Sequence, residues 1–259
     1  MTKNENFTSE KYWAKMTDID NDLRAIIDPN DKLGYKNYYI DLLSKTAIER
    51  VISFDKIEDA LDFGCGLGRI SSWLANKGVE RIEATDGIEE MVNKAKRKLT
   101  KYDNINVSLY KNRQLPYNDN VFDLVTVGWV LQHVINTPAV NDILSEINRV
   151  IKCSGVAVFI ERTSNNISSE KGMSEDYILH RSVNSYKKLF KDNGLKINLC
   201  YPIRTSVPIC NFKPIQKLLH SGKISVQLFP SIIKLDLFLQ KRNTNAQWAD
   251  TLFLCSKKL

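Results

Sequence analysis

A doubly wound, mostly parallel α/β sheet is predicted by two features of the sequence. Strand-like and helical runs alternate in strict turn from about position 57 to 200, and the first strand-like run empties directly into closely spaced glycines. Parallel neighbours cannot be joined by a tight hairpin, so the alternation itself calls for crossover helices on the sheet faces. The 259 residues leave room for one such domain of generous size, or for a core with a helical appendage, and for a substantial buried interior.

Taken in order, positions 10–53 read as helical, with a break at Asp28-Pro29-Asn30 and a second apolar-periodic run over 38–52. They form an N-terminal helical lid, 1–53, ahead of the core. Seven strands are expected, over 57–63, 81–85, 107–110, 122–130, 156–160, 195–200 and 249–255, each a short apolar run. Helices over 68–77, 88–99, 137–151 and 183–193 separate them. More than forty residues lie between Tyr201 and Trp248, with helical candidates at 213–220 and 231–242, which is too long for bare coil. The expectation is a helical cap insertion over 203–247 on the substrate side, or equally a packing or dimerisation element. The core domain is then 54–202 with 248–259.

Composition narrows the class. Hydrophobic residues at 43% and charged residues at 26% fit a globular chain and exclude fibrous or disordered architecture. A formal charge of +7 would suit anionic partners, but its densest cluster, Lys94, Lys96, Arg97, Lys98 and Lys101, spreads over several faces of one helix and reads as a solvated surface. Cys65, Cys153, Cys200, Cys210 and Cys255 are scattered, without a CxxC pair or histidines at ligand spacing, so reduced thiols in a cytoplasmic protein and no metal are expected. The polar start, MTKNENFTSEKYW, lacks a secretory core. The apolar stretch 224–240 is interrupted by Pro230, Lys234 and Asp236, so no membrane span is expected.

The run Ala60-Leu61-Asp62-Phe63-Gly64-Cys65-Gly66-Leu67-Gly68-Arg69-Ile70 carries the most chemistry. Glycines there permit a tight turn and a close approach of backbone to ligand, and the helix beyond offers unpaired N–H groups. Dinucleotide enzymes use GxGxxG, which would need glycine where Arg69 stands; the pattern here is DxGxGxG.

DFGCGLG resembles the first motif of class I S-adenosylmethionine-dependent methyltransferases, and the resemblance runs from Ala60 to about Glu161. It implies a seven-stranded Rossmann-like sheet, S-adenosyl-L-methionine as cofactor and S-adenosyl-L-homocysteine as product. In that family Asp62, Gly64 and Gly66, with Cys65, Gly68 and Arg69 beside them, would surround the aminoacyl end. Asp86, at the end of the second strand with Gly87, Ile88 and Met91 following, would accept hydrogen bonds from both ribose hydroxyls, a task suited to a bidentate acceptor. An N-cap role for Asp86 is compatible with this. The segment Lys111-Asn112-Arg113-Gln114-Leu115-Pro116-Tyr117 is similar to the family's LPF segment and implies adenine contacts at Asn112 and Arg113. FDLV, continued by Gly128, Trp129, Val130 and His133, would line the methionine chain.

Methyl transfer from a sulfonium depends mainly on alignment, with a base as helper. The amino-methyltransferase signature [DNS]PP[YFW] is absent after the fourth strand, where Gly128-Trp129-Val130-Leu131 stands. His133 and His180 are the candidate catalytic groups, His133 as general base or as a structural buttress. Tyr12, Trp13, Tyr39, Arg162 and Arg181 join them as candidate acceptor contacts, with core packing as the alternative for the aromatics and helix N-capping as the reading of Ser182. The expected function is methylation of a small-molecule acceptor, with an oxygen of a sugar or other metabolite favoured. RNA or protein N-terminal methylation and a catalytically silent scaffold stand as alternatives. Nucleic acid is not an expected partner, because no RNA-binding module is recognisable; a homodimer is.

Overall fold

The structure, a computed structural model, describes residues 9–164, 178–205, 213–221, 226–240 and 248–258. Its strands are β1 (Asp59–Phe63), β2 (Arg81–Asp86), β3 (Ile105–Leu109), β4 (Phe122–Gly128), β5 (Ile151–Ser164), β6 (Leu195–Arg204) and β7 (Trp248–Lys257). They form one sheet in the order β3-β2-β1-β4-β5-β7-β6. The five strands from β3 to β5 pair in parallel, and β7 runs antiparallel between β5 and β6. The seven-stranded α/β expectation is thereby met.

Consecutive residues of the central strands go to opposite faces, which is why these runs are apolar throughout instead of alternating with polar residues. Ala60, Leu124, Val158 and Leu252 enter one core layer, while their neighbours Leu61, Val125, Phe159 and Phe253 enter the other. The first layer is covered by α3 (Tyr35–Glu49) and α4 (Arg69–Asn76), and the second by α6 (Thr137–Val150) and α7 (Val183–Asp192). Ser182 caps α7 by accepting from the Ser185 amide at 3.0 Å.

In the described part of the long connection before β7, the helices pack against the core. Its helix α9 (Phe229–Gln240) packs on α3 and β6, where Phe229, Ile233 and Leu237 are buried among Tyr39, Leu43 and Tyr201. Tyr39, expected at the acceptor, is a core residue for the same reason: it is 1% exposed and meets the Phe229 ring edge-to-face at 5.6 Å. Helix α8 (Lys213–His220) places Leu219 in the same layer.

The N-terminal segment divides differently from the expectation. Helix α3 is part of the core and reaches the cavity with Ile40, whereas α1 (Ser9–Met16) and α2 (Asp22–Ile26) lie over the carboxyl edge of the sheet. Two lysines of α5 (Glu89–Leu99) fasten them there. Lys94 Nζ donates to the carbonyls of Thr17 and Ile19 at 2.6 and 3.1 Å, and Lys98 pairs with Asp22. The basic cluster is therefore not wholly a solvated face. Cys65, Cys153, Cys200 and Cys255 are free thiols, and Cys210 lies outside the described residues. Among the described residues no helix is long and apolar enough to cross a membrane.

Candidate active site

The carboxyl ends of the central strands and the helices α1 and α2 enclose a cavity of about 390 Å³. This is the edge where doubly wound sheets bind ligands. The turn after β1 is hooked onto β2 by Gly64 N and Cys65 N, which both donate to the Thr85 carbonyl at 2.7 and 2.9 Å. Gly64 takes φ +73°, and a Cβ there would fall 2.2 Å from a Val130 methyl, so glycine is required twice over. Gly68 starts α4 at φ +81° with Leu99 against it, and it does not line the cavity.

Two carboxylates stand behind this turn. Asp86 Oδ2 accepts from Gly66 N at 2.8 Å and its Oδ1 from Ile88 N at 2.9 Å. The N-cap position of α5 is Ile88, so Asp86 braces the approach to the helix without capping it. Each Asp86 oxygen accepts one of these amides, with the Gly87 amide also close to the carboxylate, and acceptor capacity remains. Asp62 is more fully committed: Oδ2 accepts the Ser71 amide and hydroxyl at 3.0 and 2.6 Å, and Oδ1 the Thr126 hydroxyl at 3.0 Å. Burial raises both carboxyls above their ordinary range against these hydrogen bonds, and Asp62 pushes Asp86 further in the same direction. Gly87, Ile88 and Met91 complete this part of the wall.

The opposite wall follows β4. Gly128 and Val130 line the cavity around Trp129, which is held at φ +55° with its amide donating to the Ile160 carbonyl at 2.7 Å. A left-handed conformation at a bulky residue is uncommon and persists only where the surroundings enforce it. Here Glu161, fully buried on β5, accepts from the amides of Val130, Leu131 and Gln132 at 2.9, 2.8 and 3.1 Å. Arg181 holds the same turn by donating to the Leu131 and Val134 carbonyls at 2.6 and 2.7 Å. It is thus a bracing residue and does not line the cavity, nor does His180 beside it.

His133 does reach the cavity, from the 3-10 turn Leu131–His133. Its ring meets Trp13 of α1 edge-to-face at 5.0 Å, and its Nε2 lies 3.1 Å from the Gln132 amide nitrogen. Tyr12 lines the same side. Arg69 donates to Asp41 Oδ1 and Ser44 Oγ of α3 at 2.8 and 2.9 Å while its guanidinium lies 5.3 Å from the centre of the Trp129 ring, tying the glycine turn to the core helix.

Asn112 and Arg113 do not contribute to the wall. Both adopt φ +58° in a tight exposed turn closed by the Lys111–Gln114 bridge, and Arg113 pairs with Asp142 at 3.0 Å. The residue that does line the cavity from the end of β3 is Tyr110, missed by sequence reasoning because it carries no motif. Its hydroxyl is buried without a hydrogen-bond partner among the described residues, as is Gln132 Oε1, and burial pushes the phenol up to about 12. Such unpaired buried atoms call for a ligand or water. At the far side, Arg162 was expected, but its neighbour Arg204 was not, because β6 runs four residues past the expected end at 200 and through Pro202.

Acceptor capacity on Asp86, a glycine cradle, unpaired polar atoms and two carboxylates at the β1 and β2 end of the wall fit a cationic ligand bearing vicinal hydroxyls. Sheet order and cavity together define a doubly wound α/β domain with its cavity at the carboxyl edge of the sheet.

A family model described as "Methyltransferase domain" matches residues 61–159. The ubiquinone/menaquinone biosynthesis C-methyltransferase UbiE of Rickettsia prowazekii is 35% identical over 109 residues, which is 39% of this chain and 43% of that protein. The demethylmenaquinone methyltransferase of Bacillus licheniformis is 32% identical over 114 residues, 43% of this chain and 48% of that one. The chain therefore spans less than half the length of these two curated relatives. The O-methyltransferase from a trans-AT polyketide synthase of Brevibacillus brevis, solved with S-adenosyl-L-homocysteine, shares the fold at a TM-score of 0.65 and 12% identity over 98% of this chain and 81% of that one. Residues 61–159 thus match a methyltransferase domain, on a fold that the chain shares with this solved methyltransferase.

Proposed function

We propose that the protein transfers the methyl group of S-adenosyl-L-methionine to a small aromatic acceptor of quinol type, at a ring carbon. The observation that carries the cofactor assignment is Asp86, a buried carboxylate latched by Gly66 N and Ile88 N with acceptor capacity left. Asp86 would bind the ribose hydroxyls, Gly64 to Gly66 would cradle the aminoacyl end with Asp62 behind them, and Tyr110 would offer its hydroxyl toward the base.

The acceptor half is supported by the wall it faces and by the relatives. Tyr12, Trp13 and Trp129 line the cavity with flat apolar rings, which suit a planar acceptor better than a sugar with its dense hydroxyls. The two curated relatives are named for ubiquinone/menaquinone biosynthesis and for demethylmenaquinone, which draws the reading from a sugar oxygen to a quinol ring.

When bound, the cofactor supplies an electrophilic methyl on a cationic sulfur. The ring carbon beside an acceptor hydroxyl would take this methyl, and the hydrogen it displaces would pass to the hydroxyl oxygen as the ring rearomatises, so that one proton leaves overall. His133 is assigned to take the hydroxyl proton during attack, which raises electron density at that carbon. Trp13 packs against its ring and Gln132 meets its Nε2, so its orientation is set before the acceptor arrives.

The test has two stages. Calorimetry should detect S-adenosyl-L-homocysteine binding, and labelled methyl should pass from S-adenosyl-L-methionine to a soluble naphthohydroquinone, giving a carbon-methylated product by mass spectrometry. Transfer to a monosaccharide panel and to none of the hydroquinones would overturn the acceptor reading. No binding of S-adenosyl-L-homocysteine would overturn the whole.

A further inference from the structure

The hydrogen-bond register of the last three strands sets three charged residues side by side. Arg162 on β5 is paired with Asp250 on β7, and Asp250 with Arg204 on β6. Arg204 Nε donates to Asp250 Oδ2 at 2.6 Å, whereas Arg162 Nε reaches Asp250 Oδ1 only at 3.5 Å. Both guanidinium groups lie 5.2 Å from the centre of the Trp248 ring. Arg162 and Arg204 line the cavity.

The charges in this ladder do not cancel. Two guanidinium groups share one carboxylate, and stacking on Trp248 orients them without neutralising either. Asp250 is fully buried and the Arg204 side chain is 6% exposed, so this closer pair satisfies its charges internally and leaves the second guanidinium as the surplus. Arg162 carries that surplus. Its side chain is 35% exposed, and among the described residues its one hydrogen bond is the long one to Asp250, so Nη1 and Nη2 remain as a parallel pair of donors. Such a fork matches the two oxygens of a carboxylate.

Position in the sheet separates this charge from the cofactor end. Asp86 ends β2 and Arg162 lies on β5, three strand spacings away in the order β2-β1-β4-β5, or about 14 Å. The remaining charged group on the cavity wall, Arg69, is already paired with Asp41 of α3. The wall is therefore acidic at β1 and β2, aromatic in the middle and basic at β5 and β6.

We propose that the acceptor carries a carboxylate, which docks on the Nη1 and Nη2 donors of Arg162 with Asp250 and Trp248 holding that guanidinium in place. This rests on the small aromatic acceptor proposed above and adds the group that would select it. It also gives the fork a second task, because a tethered carboxylate fixes which ring carbon faces the methyl donor.

The test compares 2,5-dihydroxybenzoate with 2,5-dihydroxybenzamide, which has nearly the same shape and no charge, by calorimetry on the full chain with and without S-adenosyl-L-homocysteine. The acid should bind at least ten times more tightly than the amide. Arg162→Gln should bring the two within about twofold while leaving S-adenosyl-L-homocysteine affinity unchanged, and Arg162→Lys should keep part of the preference. Equal affinities in the wild type, a preference that survives in Arg162→Gln, or no binding of either compound at millimolar concentration would overturn the proposal. The two readings fail separately. A protein that prefers the acid but ignores S-adenosyl-L-homocysteine keeps the arginine fork and loses the methyltransferase assignment, and cofactor binding without acid preference does the reverse.

Discussion

Glu161 and Arg181 grip one turn, the first by its amides and the second by its carbonyls. Glu161 collects the amide hydrogens of Val130, Leu131 and Gln132, and Arg181 donates to the carbonyls of Leu131 and Val134. Between them they hold the segment that presents Trp129, Gln132 and His133 to the cavity. Burial pushes the Glu161 carboxyl up to about 7, against the pull of the three amides and the Arg181 charge.

A pH dependence of stability follows. A carboxyl raised in the folded state binds its proton more tightly there than in the unfolded chain, so its contribution is complete below the unfolded value of 4.5 and is lost as pH rises through about 7. Thermal midpoints should fall between pH 5 and 8 for the wild type, and Glu161→Gln, which cannot ionise, should flatten this part of the curve. Asp62 and Asp86 shift in the same direction in both proteins, so the difference between the curves isolates Glu161. Superimposable curves would remove the ionisation of Glu161 from the account.

Asp86→Ala should weaken S-adenosyl-L-homocysteine binding by about 1.5 to 3 kcal/mol, roughly 10- to 150-fold, the worth of hydrogen bonds to a charged acceptor. It should also lower the melting temperature, because the Gly66 and Ile88 amides lose their acceptor. Asp86→Asn keeps one carbonyl oxygen and should fall between. Affinity for the wild type should decline in acid, beginning above the ordinary carboxylate range because burial raises Asp86. Calorimetry across pH checks both points, and unchanged affinity in Asp86→Ala would reject the ribose assignment.

Gly64→Ala meets two obstacles, the left-handed backbone at φ +73° and the Val130 methyl. The first costs about 1 to 2 kcal/mol, and the second forces the cofactor wall to shift. Binding should be lost or greatly weakened. Adding Val130→Ala should recover part of the stability, since it relieves contact but not backbone strain. Full recovery in denaturant titrations would show that φ is not limiting.

His133→Ala should lower kcat by about 10²- to 10⁴-fold if His133 takes a proton, with little effect on S-adenosyl-L-homocysteine affinity. Trp13→Ala should act mainly on the KM of the acceptor. Equal losses in turnover and cofactor affinity for His133→Ala would make it a buttress of the wall.

The part of the site legible in the sequence is the part built by backbone. Asp62, Gly64 and Gly66 serve through spacing along one strand-turn-helix, and Asp86 through its place at a strand end, so linear order suffices. Asn112 and Arg113 were misread because a similar segment folds here as a tight left-handed turn, which turns those side chains out and leaves Tyr110 at the wall. Tyr39 is open in the sequence to a site role or to core packing, and Phe229, from nearly two hundred residues away, decides for the core. Glu161 and Arg204 stand at strand ends where apolar runs stop, a signal that marks a boundary without saying what the charge meets. Asp250, which orders both arginines, becomes visible only through strand pairing.

That pairing bears on assembly as well as recognition. β7 enters between β5 and β6, so the two earlier strands cannot meet until a segment some ninety residues downstream of β5 wedges them together. Until then β5 is a raw hydrogen-bonding edge, open to mispairing, and contacts of such long separation form late. The glycine cradle can take shape early, but the basic end must wait for Asp250, so a nascent chain would hold the methyl donor's berth before it could tell one acceptor from another.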